Sequence, residues 1–443
     1  MLNGSERVRV TLVERRSAFA LGAAYDTGNA DHLLNVRLGN MSALPDDPGH
    51  LTRWLAEQSS WEASGAFITR GTYGRYLRSL LNEALSTRGG RLSLVHGEVI
   101  DVERIAEHWR ARLRTGAPID ADVVVLALGN QEPHRPPGID AAVLASERYV
   151  ADPWSIDIRE VEARAVLLIG TGLTMVDVAV ALRKNGPQII ALSRHGLLPR
   201  AHASIDAPPA ALRFAGSPLS LLRQTRAAAR VTDWRQVFDA LRNDARRLWS
   251  GWGEVERRRF LRHLRPLWDV HRHRLAPTMA RQVSHMIAGG ELTVVGGKIV
   301  DLTLGDEGIT ATWRPRGRSS ERTAVFDLVV NCTGPLGAVR DSRTPLIQRL
   351  LARGLAAPDP LGLGFSVEQT CQLISAEGAT NVDLYAVGPL TRGTFWEMTA
   401  VPDLRLQTRQ LADHILGRLG LATDEGAEKG RGRPTTAGQP FSL

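Results

Sequence analysis

Val166-Leu-Leu-Ile-Gly170-Thr-Gly172-Leu-Thr-Met-Val-Asp177-Val-Ala-Val-Ala-Leu182 decides the fold. An apolar run enters a turn with two glycines, and an apolar helical pattern leaves it. The first glycine permits a sharp strand-to-helix turn. The second lets a pyrophosphate reach bare backbone at the positive end of the helix. Only the first two glycines of G-x-G-x-x-G are present, because Met175 holds the third position. A second apolar strand, Gln188-Ile-Ile-Ala-Leu-Ser-Arg194, lies behind the helix, and that context predicts a dinucleotide-binding turn. The plainer alternative is an ordinary βα turn.

A chain of 443 residues predicts two or more domains, at roughly 150 residues each. An apolar fraction of 43% and a charged fraction of 23% are those of a globular protein. No apolar run reaches the ~18 residues of a membrane span, and Met1-Leu-Asn-Gly-Ser-Glu-Arg7 has no apolar signal core. The expectation is a cytoplasmic protein with no membrane contact. Cys332 and Cys371 make neither a disulfide framework nor CxxC, which argues against a dithiol reductase. The net charge of +8 raises the question of nucleic acid. However, lysine occurs only at Lys184, Lys298 and Lys429. The arginines are spread along the chain without interleaved aromatics, so no nucleic-acid partner is expected.

Arg7-Val-Arg-Val-Thr-Leu-Val-Glu14 reads as a strand ending in an acid. In a Rossmann unit an acid there accepts hydrogen bonds from a ribose diol; alone, it reads as a solvated glutamate. Residues 22–50 are glycine- and asparagine-rich, and a loop of that length is uncommon unless it binds something. Helical patterns follow at about 49–59 and 72–87, then strands near 91–104, 107–114 and 122–128. Residues 205–285 read as a mainly helical insertion anchored by Trp234, Trp249, Trp252 and Trp268. Strands resume at about 291–303, 308–314 and 325–332, the last resembling 122–129 in its acid, apolar run and glycine. A strand running into Gly388 and a helix at about 403–419 close the pattern. The fold class is α/β, with two Rossmann-like dinucleotide-binding domains, the second inserted in the first. The expected boundaries are 1–155 with 325–422 for the first and 160–324 for the second. Residues 423–443 read as a disordered polar tail.

Several strings give this chain a family resemblance. They are Val10-Thr-Leu-Val-Glu14-Arg-Arg, Gly22-Ala-Ala-Tyr25, His32-Leu-Leu-Asn35-Val and Asn40-Met-Ser42-Ala-Leu-Pro45-Asp46-Asp47-Pro48. Further along come Tyr73-Gly-Arg75-Tyr76-Leu, Ala151-Asp152-Pro153-Trp154, the turn at 170–177 and Trp268-Asp-Val-His271-Arg-His273-Arg274. The longest is Gly388-Pro389-Leu-Thr-Arg392-Gly393-Thr-Phe-Trp396-Glu397-Met-Thr-Ala400-Val-Pro402-Asp403-Leu-Arg405. On these the chain resembles the FAD–NAD(P)-binding protein family of bacterial two-dinucleotide-binding flavoproteins, relatives of the flavin monooxygenases. Family members begin with a strand and a GxGxxG for the FAD pyrophosphate, and this sequence starts at what resembles the loop before the second strand. That departure predicts poor FAD binding.

The resemblance implies FAD and NADPH as cofactors, with NADH the alternative. It implies that Glu14 binds the adenosine ribose of FAD and that Asn35, Met41 and Ser42 lie near the flavin ring. Gly388 and Pro389 would present backbone to the flavin, with Trp396 and Glu397 beside it and the closing helix aimed at it. Gly170, Gly172, Leu173 and Thr174 would hold the nicotinamide dinucleotide. Arg194, standing where an acid would suit NAD, would take a 2′-phosphate; the bland reading is a surface arginine. His271, Arg272, His273 and Arg274 are substrate candidates suited to a small anionic molecule, with a solvated helix face as the plainer alternative. No metal-ligand spacing is present, and no catalytic residue is assigned. The implied activity is an FAD-dependent NAD(P)H oxidoreductase, of monooxygenase type, hydroxylating a small substrate. A truncated or non-catalytic nucleotide-binding homologue, unable to hold FAD, is the second expectation.

Overall fold

The computed structural model describes residues 1–27, 29, 32–58, 67–205 and 207–421. Its strands in chain order are β1 (Val10–Glu14), β2 (Leu92–His96), β3 (Val99–Ile105), β4 (His108–Leu113), β5 (Ile119–Ala121), β6 (Val124–Leu126) and β7 (Tyr149–Val150). They continue with β8 (Ala165–Ile169), β9 (Gln188–Ser193), β10 (Leu292–Leu304), β11 (Ile309–Pro315), β12 (Arg322–Phe326), β13 (Leu328–Asn331), β14 (Gln372–Ile374) and β15 (Thr380–Ala386).

The apolar run at 165–169 becomes β8, inside a seven-stranded sheet ordered β12-β11-β10-β9-β8-β13-β7. From β10 to β7 the neighbours are parallel, and β11 and β12 add antiparallel strands at one edge. Alternation along β8 sends Val166 and Leu168 into one core cluster and Leu167 and Ile169 into another. A strand covered on both faces reads as a continuous apolar run, which is why no polar-apolar alternation marks it. The helix Leu173–Leu182 buries every residue from Met175 to Leu182. Met175 is fully buried in that core. Helix and sheet are therefore joined here by an inserted side chain, not by the close approach a third glycine permits.

The other strands form a parallel pair, β1-β2, a sheet β14-β15-β6 and a meander β3-β4-β5. The predicted strand at 91–104 is two strands, because the chain turns at Gly97 and passes from the β1 partner to the meander. The strand at 325–332 departs further from expectation. β13 pairs with β8 and β7 in the seven-stranded sheet, so the boundary drawn at 325 cuts into that sheet. An apolar strand running into a small residue and glycine closes a nucleotide-binding sheet in either unit, and its pattern does not say which.

The insertion is helical: Pro218–Ala228, Trp234–Gly251, Glu254–His263, Arg265–Arg272 and Pro277–Ala288. Ser217 and Asp233 cap the first two by accepting from Ser220 and Arg235 N–H groups. Trp249 and Trp268 are core anchors, whereas Trp234 and Trp252 are only partly covered. The closing helix runs Val401–Arg418. The polar tail expected at 423–443 lies outside the described residues. Among those residues no helix is long and apolar enough to cross a membrane.

Candidate functional site

The two fingerprint glycines do different work. Gly170 sits at φ +124°, and a Cβ there would stand 2.3 Å from the Cys332 carbonyl oxygen. It is required by the fold, where the turn passes over the end of β13. Gly172 caps the helix Leu173–Leu182 without a side-chain hydrogen bond. A Cβ on Gly172 would meet nothing within 4 Å. The bare backbone there faces open space at a helix N-terminus, the arrangement a pyrophosphate needs. Leu173 and Thr174 are half-buried in the first turn. The Thr171 hydroxyl lies 2.8 Å from the Ser193 hydroxyl and donates to Leu197 O at 2.6 Å, tying this turn to the end of β9.

Arg194 is exposed just beyond β9. His195 beside it is held below the ordinary histidine range by burial, then by Arg316 and Arg194. Two guanidinium groups thus flank one imidazole. Arg316, contributed by the chain after β11, was invisible to sequence reading, because nothing in its local pattern says that it returns to this corner.

A second cluster is built from segments far apart in sequence. A cavity of about 440 Å³ is lined by Asn35, Arg37 and Asn40 from the N-terminal loop, His202 and Ala203, Arg235, Asp239 and Arg242, then Arg272, Arg274 and Pro402. It joins three of the predicted segments: the loop at 35–40, the 268–274 string and the start of the closing helix. Each inward guanidinium comes with a partner. Arg272 Nε donates to Glu397 Oε2 at 2.7 Å. Arg274 makes a two-pronged contact with Asp239 at 2.9 and 3.0 Å. Arg242 donates to Asp403 at 2.7 Å. The cavity is therefore polar and charge-balanced, not the open cationic surface that four consecutive basic residues suggest. His271 is not part of it: its Nδ1–H donates to the Leu267 carbonyl at 2.7 Å and its ring stacks on Phe238. His273 is partly buried, and burial followed by Arg272 lowers its pKa.

Glu397 is the hub. It is 8% exposed and also accepts from Trp268 Nε1 at 2.9 Å. Burial opposes its ionisation, but Arg272, His273 and Arg242 outweigh that and hold the carboxyl below the usual range. Asp403 shifts the other way, raised by burial despite Arg242. Trp396 before it has φ +57° and ψ −70°. The Glu397 N–H donates to Phe395 O at 2.8 Å, a γ-turn of the strained kind.

Several residues implied at the flavin have their side chains or N–H groups engaged within the protein. Met41 is 2% exposed in a core cluster with Tyr73 and Tyr76. The Ser42 hydroxyl donates to Asp47 O at 2.6 Å. Both side chains face inward because the loop is packed on its own core, leaving only backbone for a ligand. The Gly388 N–H donates to Gln407 Oε1 at 2.8 Å, and Pro389 has no N–H. That backbone is therefore already satisfied. Glu14 is half-buried at the end of β1, and among the described residues its carboxylate accepts only the Arg16 N–H, at 2.9 Å, leaving acceptor capacity for a diol. Asn35 lines the cavity, and its carbonyl faces His202 Nε2 at 3.0 Å.

That last contact has a pH consequence. Burial, then nearby Arg274 and Arg37, lower the His202 pKa to about 4, against the raising effect of the Asn35 carbonyl. The ring is neutral at pH 7 and donates from Nε2. The unfolded chain binds this proton first, near the ordinary value of ~6.5. Stability from this group is therefore complete above that pH and is lost as pH falls toward 4. Thermal unfolding of wild type should drop more steeply between pH 6.5 and 4 than that of His202→Gln. Parallel curves would contradict the assignment.

Residues 2–131 match the FAD-NAD(P)-binding family. No curated protein matches the chain by sequence. Among solved structures it is similar to the ornithine N-hydroxylase of Kutzneria sp. 744, solved with reduced FAD, NADP+ and L-ornithine, at 15% identity and TM-score 0.60, covering 92% of both chains. It is also similar to the FAD-bound cadaverine monooxygenase of Erwinia amylovora, at 12% identity and TM-score 0.60, covering 97% of this chain and 92% of that one. Bacillithiol disulfide reductase from Bacillus cereus matches at 14% identity and TM-score 0.55, covering 93% of each. Residues 2–131 thus carry an FAD-NAD(P)-binding domain, within a chain that has the fold of the two-dinucleotide-binding flavoproteins.

Proposed function

We propose that this protein is a flavin-dependent oxidoreductase of monooxygenase type, using NADPH and hydroxylating a small polar substrate. The observation that carries the reading is the polar cavity where the 35–40 loop, Arg272, Arg274 and Pro402 converge. The turn at Gly172 would hold the nicotinamide dinucleotide, and Glu14 with the 35–42 loop would hold FAD. In this reading the first unit comprises 1–155 and the segment after β13 to 422, and the second centres on 160–324. FAD, held there, would supply hydride acceptance from NADPH and activation of O2. The overall balance is NADPH, H⁺, O2 and R–H giving NADP⁺, R–OH and water. The chain itself positions the substrate: Arg272 is fixed by Glu397 and Arg274 by Asp239, so both present rigid N–H edges, while neutral His202 holds the Asn35 loop in place.

The substrate class follows from the paired charges. A cavity in which arginines are matched by Asp233, Asp239 and the carboxylates behind them suits a small molecule bearing both an amine and an acid or another polar group. Two of the named neighbours are an ornithine N-hydroxylase and a cadaverine monooxygenase, which supports including amines in the panel. The full chain, supplied with FAD, should oxidise NADPH faster in the presence of its substrate and form a hydroxylated product. Peroxide alone with every amine, purine and aromatic tested would exclude the monooxygenase reading.

The cofactor preference rests on Arg194 and Arg316. Arg194→Ala should raise the Kd for NADPH about tenfold, the effect of one charge-assisted contact, and leave NADH unchanged. Equal losses for both nucleotides would place Arg194 outside the 2′-phosphate site.

One observation favours a second reading, a nucleotide-binding protein that does not hold FAD: the Gly388 N–H is already taken by Gln407. The visible spectrum with added FAD separates the two, because only the first gives a bound, protein-perturbed flavin band.

A further inference from the structure

Four arginines stand in the segments 265–274 and 392–397. Three are matched by carboxylates: Arg265 Nε lies 3.4 Å from Asp269 Oδ2, Arg272 Nε 2.7 Å from Glu397 Oε2, and Arg274 Nη2 2.9 Å from Asp239 Oδ1. Arg392 is the exception. Among the described residues its guanidinium makes no hydrogen bond and no ion pair. It lies over the Trp396 ring, 5.8 Å from the centroid. That is near the outer limit of about 6 Å for cation–π attraction, so the ring compensates little of the charge. The side chain is partly buried, yet none of its nitrogens is sealed from solvent. Burial, then the Arg265 charge, lower its pKa to about 10, against Asp269 and Glu397. A cation in such surroundings costs free energy unless it is paired.

The backbone beneath Arg392 is fixed on both sides. Thr391 is fully buried, its hydroxyl donating to Gly388 O at 2.8 Å and accepting from Gln407 Nε2 at 2.9 Å. Gly393 O accepts from Trp249 Nε1 at 2.8 Å, and Gly393 packs so closely on Asp359 that a Cβ would stand 2.2 Å from its Oδ1. A long side chain thus starts from a rigid base, which lowers the entropy lost when it grips a ligand. His273 belongs to the same cluster. After burial, its ring feels Arg272, Glu397, Asp269 and Arg392, and the net effect keeps it neutral at pH 7. It too makes no hydrogen bond among the described residues. Arg242 and Asp403 cancel each other at 2.7 Å. The cluster then sets Arg265, Arg272 and Arg392 against Asp269 and Glu397, which leaves one positive charge over.

We infer that Arg392 and His273 form a binding site for a small carboxylate, which the Arg392 guanidinium takes in a two-pronged contact. The planar N–H fork of arginine matches a carboxylate edge to edge, and one unmatched cation calls for one negative charge. Neither residue lines the polar cavity. The two places touch through Glu397, which holds Arg272 at the cavity's edge. The binding site does not depend on flavin or on the proposed reaction, so its test is independent of them.

Propionate and propionamide are matched probes, alike in shape and differing by one charge. Each is titrated into the full chain at pH 7 in low-chloride buffer and followed by ligand-observed NMR. Propionate should saturate the protein with a Kd about tenfold or more below that of propionamide, the effect of one charge-assisted contact. Arg392→Gln should abolish that preference. Arg392→Lys, which keeps the charge and loses the fork, should keep part of it. Without ligand, Arg392→Gln should unfold at or above the wild-type midpoint, because it removes an unmatched charge. The inference is overturned if propionate does not saturate the wild type, if acid and amide bind alike, or if the preference survives in Arg392→Gln. It is equally overturned if that variant is markedly less stable than wild type, or if inorganic phosphate binds in place of propionate.

Discussion

Gly170→Ala is expected to lose the fold, while Gly172→Ala keeps it and loses the nucleotide. At position 170 the new methyl would overlap the Cys332 carbonyl oxygen at 2.3 Å. The φ of +124° adds a conformation open almost only to glycine, so the loss is about 3 kcal/mol or more. At 172 the backbone is extended and a Cβ meets nothing within 4 Å. That methyl would occupy the space a pyrophosphate needs, so NADPH affinity should fall by tenfold or more with the unfolding midpoint unchanged. Denaturant unfolding and a nucleotide titration on both variants give the answer. Equal stability losses, or undiminished NADPH binding in Gly172→Ala, would remove this turn as the site.

Glu397→Ala is the other large effect. Its carboxylate accepts from Arg272 and Trp268, and the Arg272 and Glu397 side chains are 10% and 9% exposed. Removing it leaves a buried guanidinium without its carboxylate and an indole N–H without an acceptor. Breaking a buried pair on one side costs about 3–5 kcal/mol. Glu397→Gln should cost less, since its amide oxygen still accepts one bond. Replacing both partners with apolar residues, Arg272→Met with Glu397→Leu, should recover much of the loss, because no charge is left stranded. An alanine variant within about 1 kcal/mol of wild type would mean the pair is solvated.

These residues also mark how far the sequence could be read. The α/β class came from the run at 166–182, where an apolar strand, a glycine turn and an apolar helix leave few alternatives, and the helix boundaries fell within a few residues. The division of labour between Gly170 and Gly172 was legible as chemistry. That the first is fixed by Cys332, 162 positions later, was not. The 268–274 string brings Arg272 and Arg274 to the polar cavity, but its basic character suggested a cationic face. The carboxylates that neutralise it, Asp239 and Glu397, come from another helix and from the far end of the chain. Periodicity does not encode such pairings. The same limit explains Gly388, whose donor looks free until Gln407 is seen across from it, and β13, whose pattern fits either sheet.

The central claim is that nicotinamide bound at Gly172 reduces a flavin held by the same chain. The most direct measurement is anaerobic mixing of FAD-loaded protein with NADPH, following the oxidised-flavin absorbance. The account predicts that the absorbance is lost, and at lower concentration with NADPH than with NADH. An oxidised-flavin band that persists in excess of both nucleotides would contradict it.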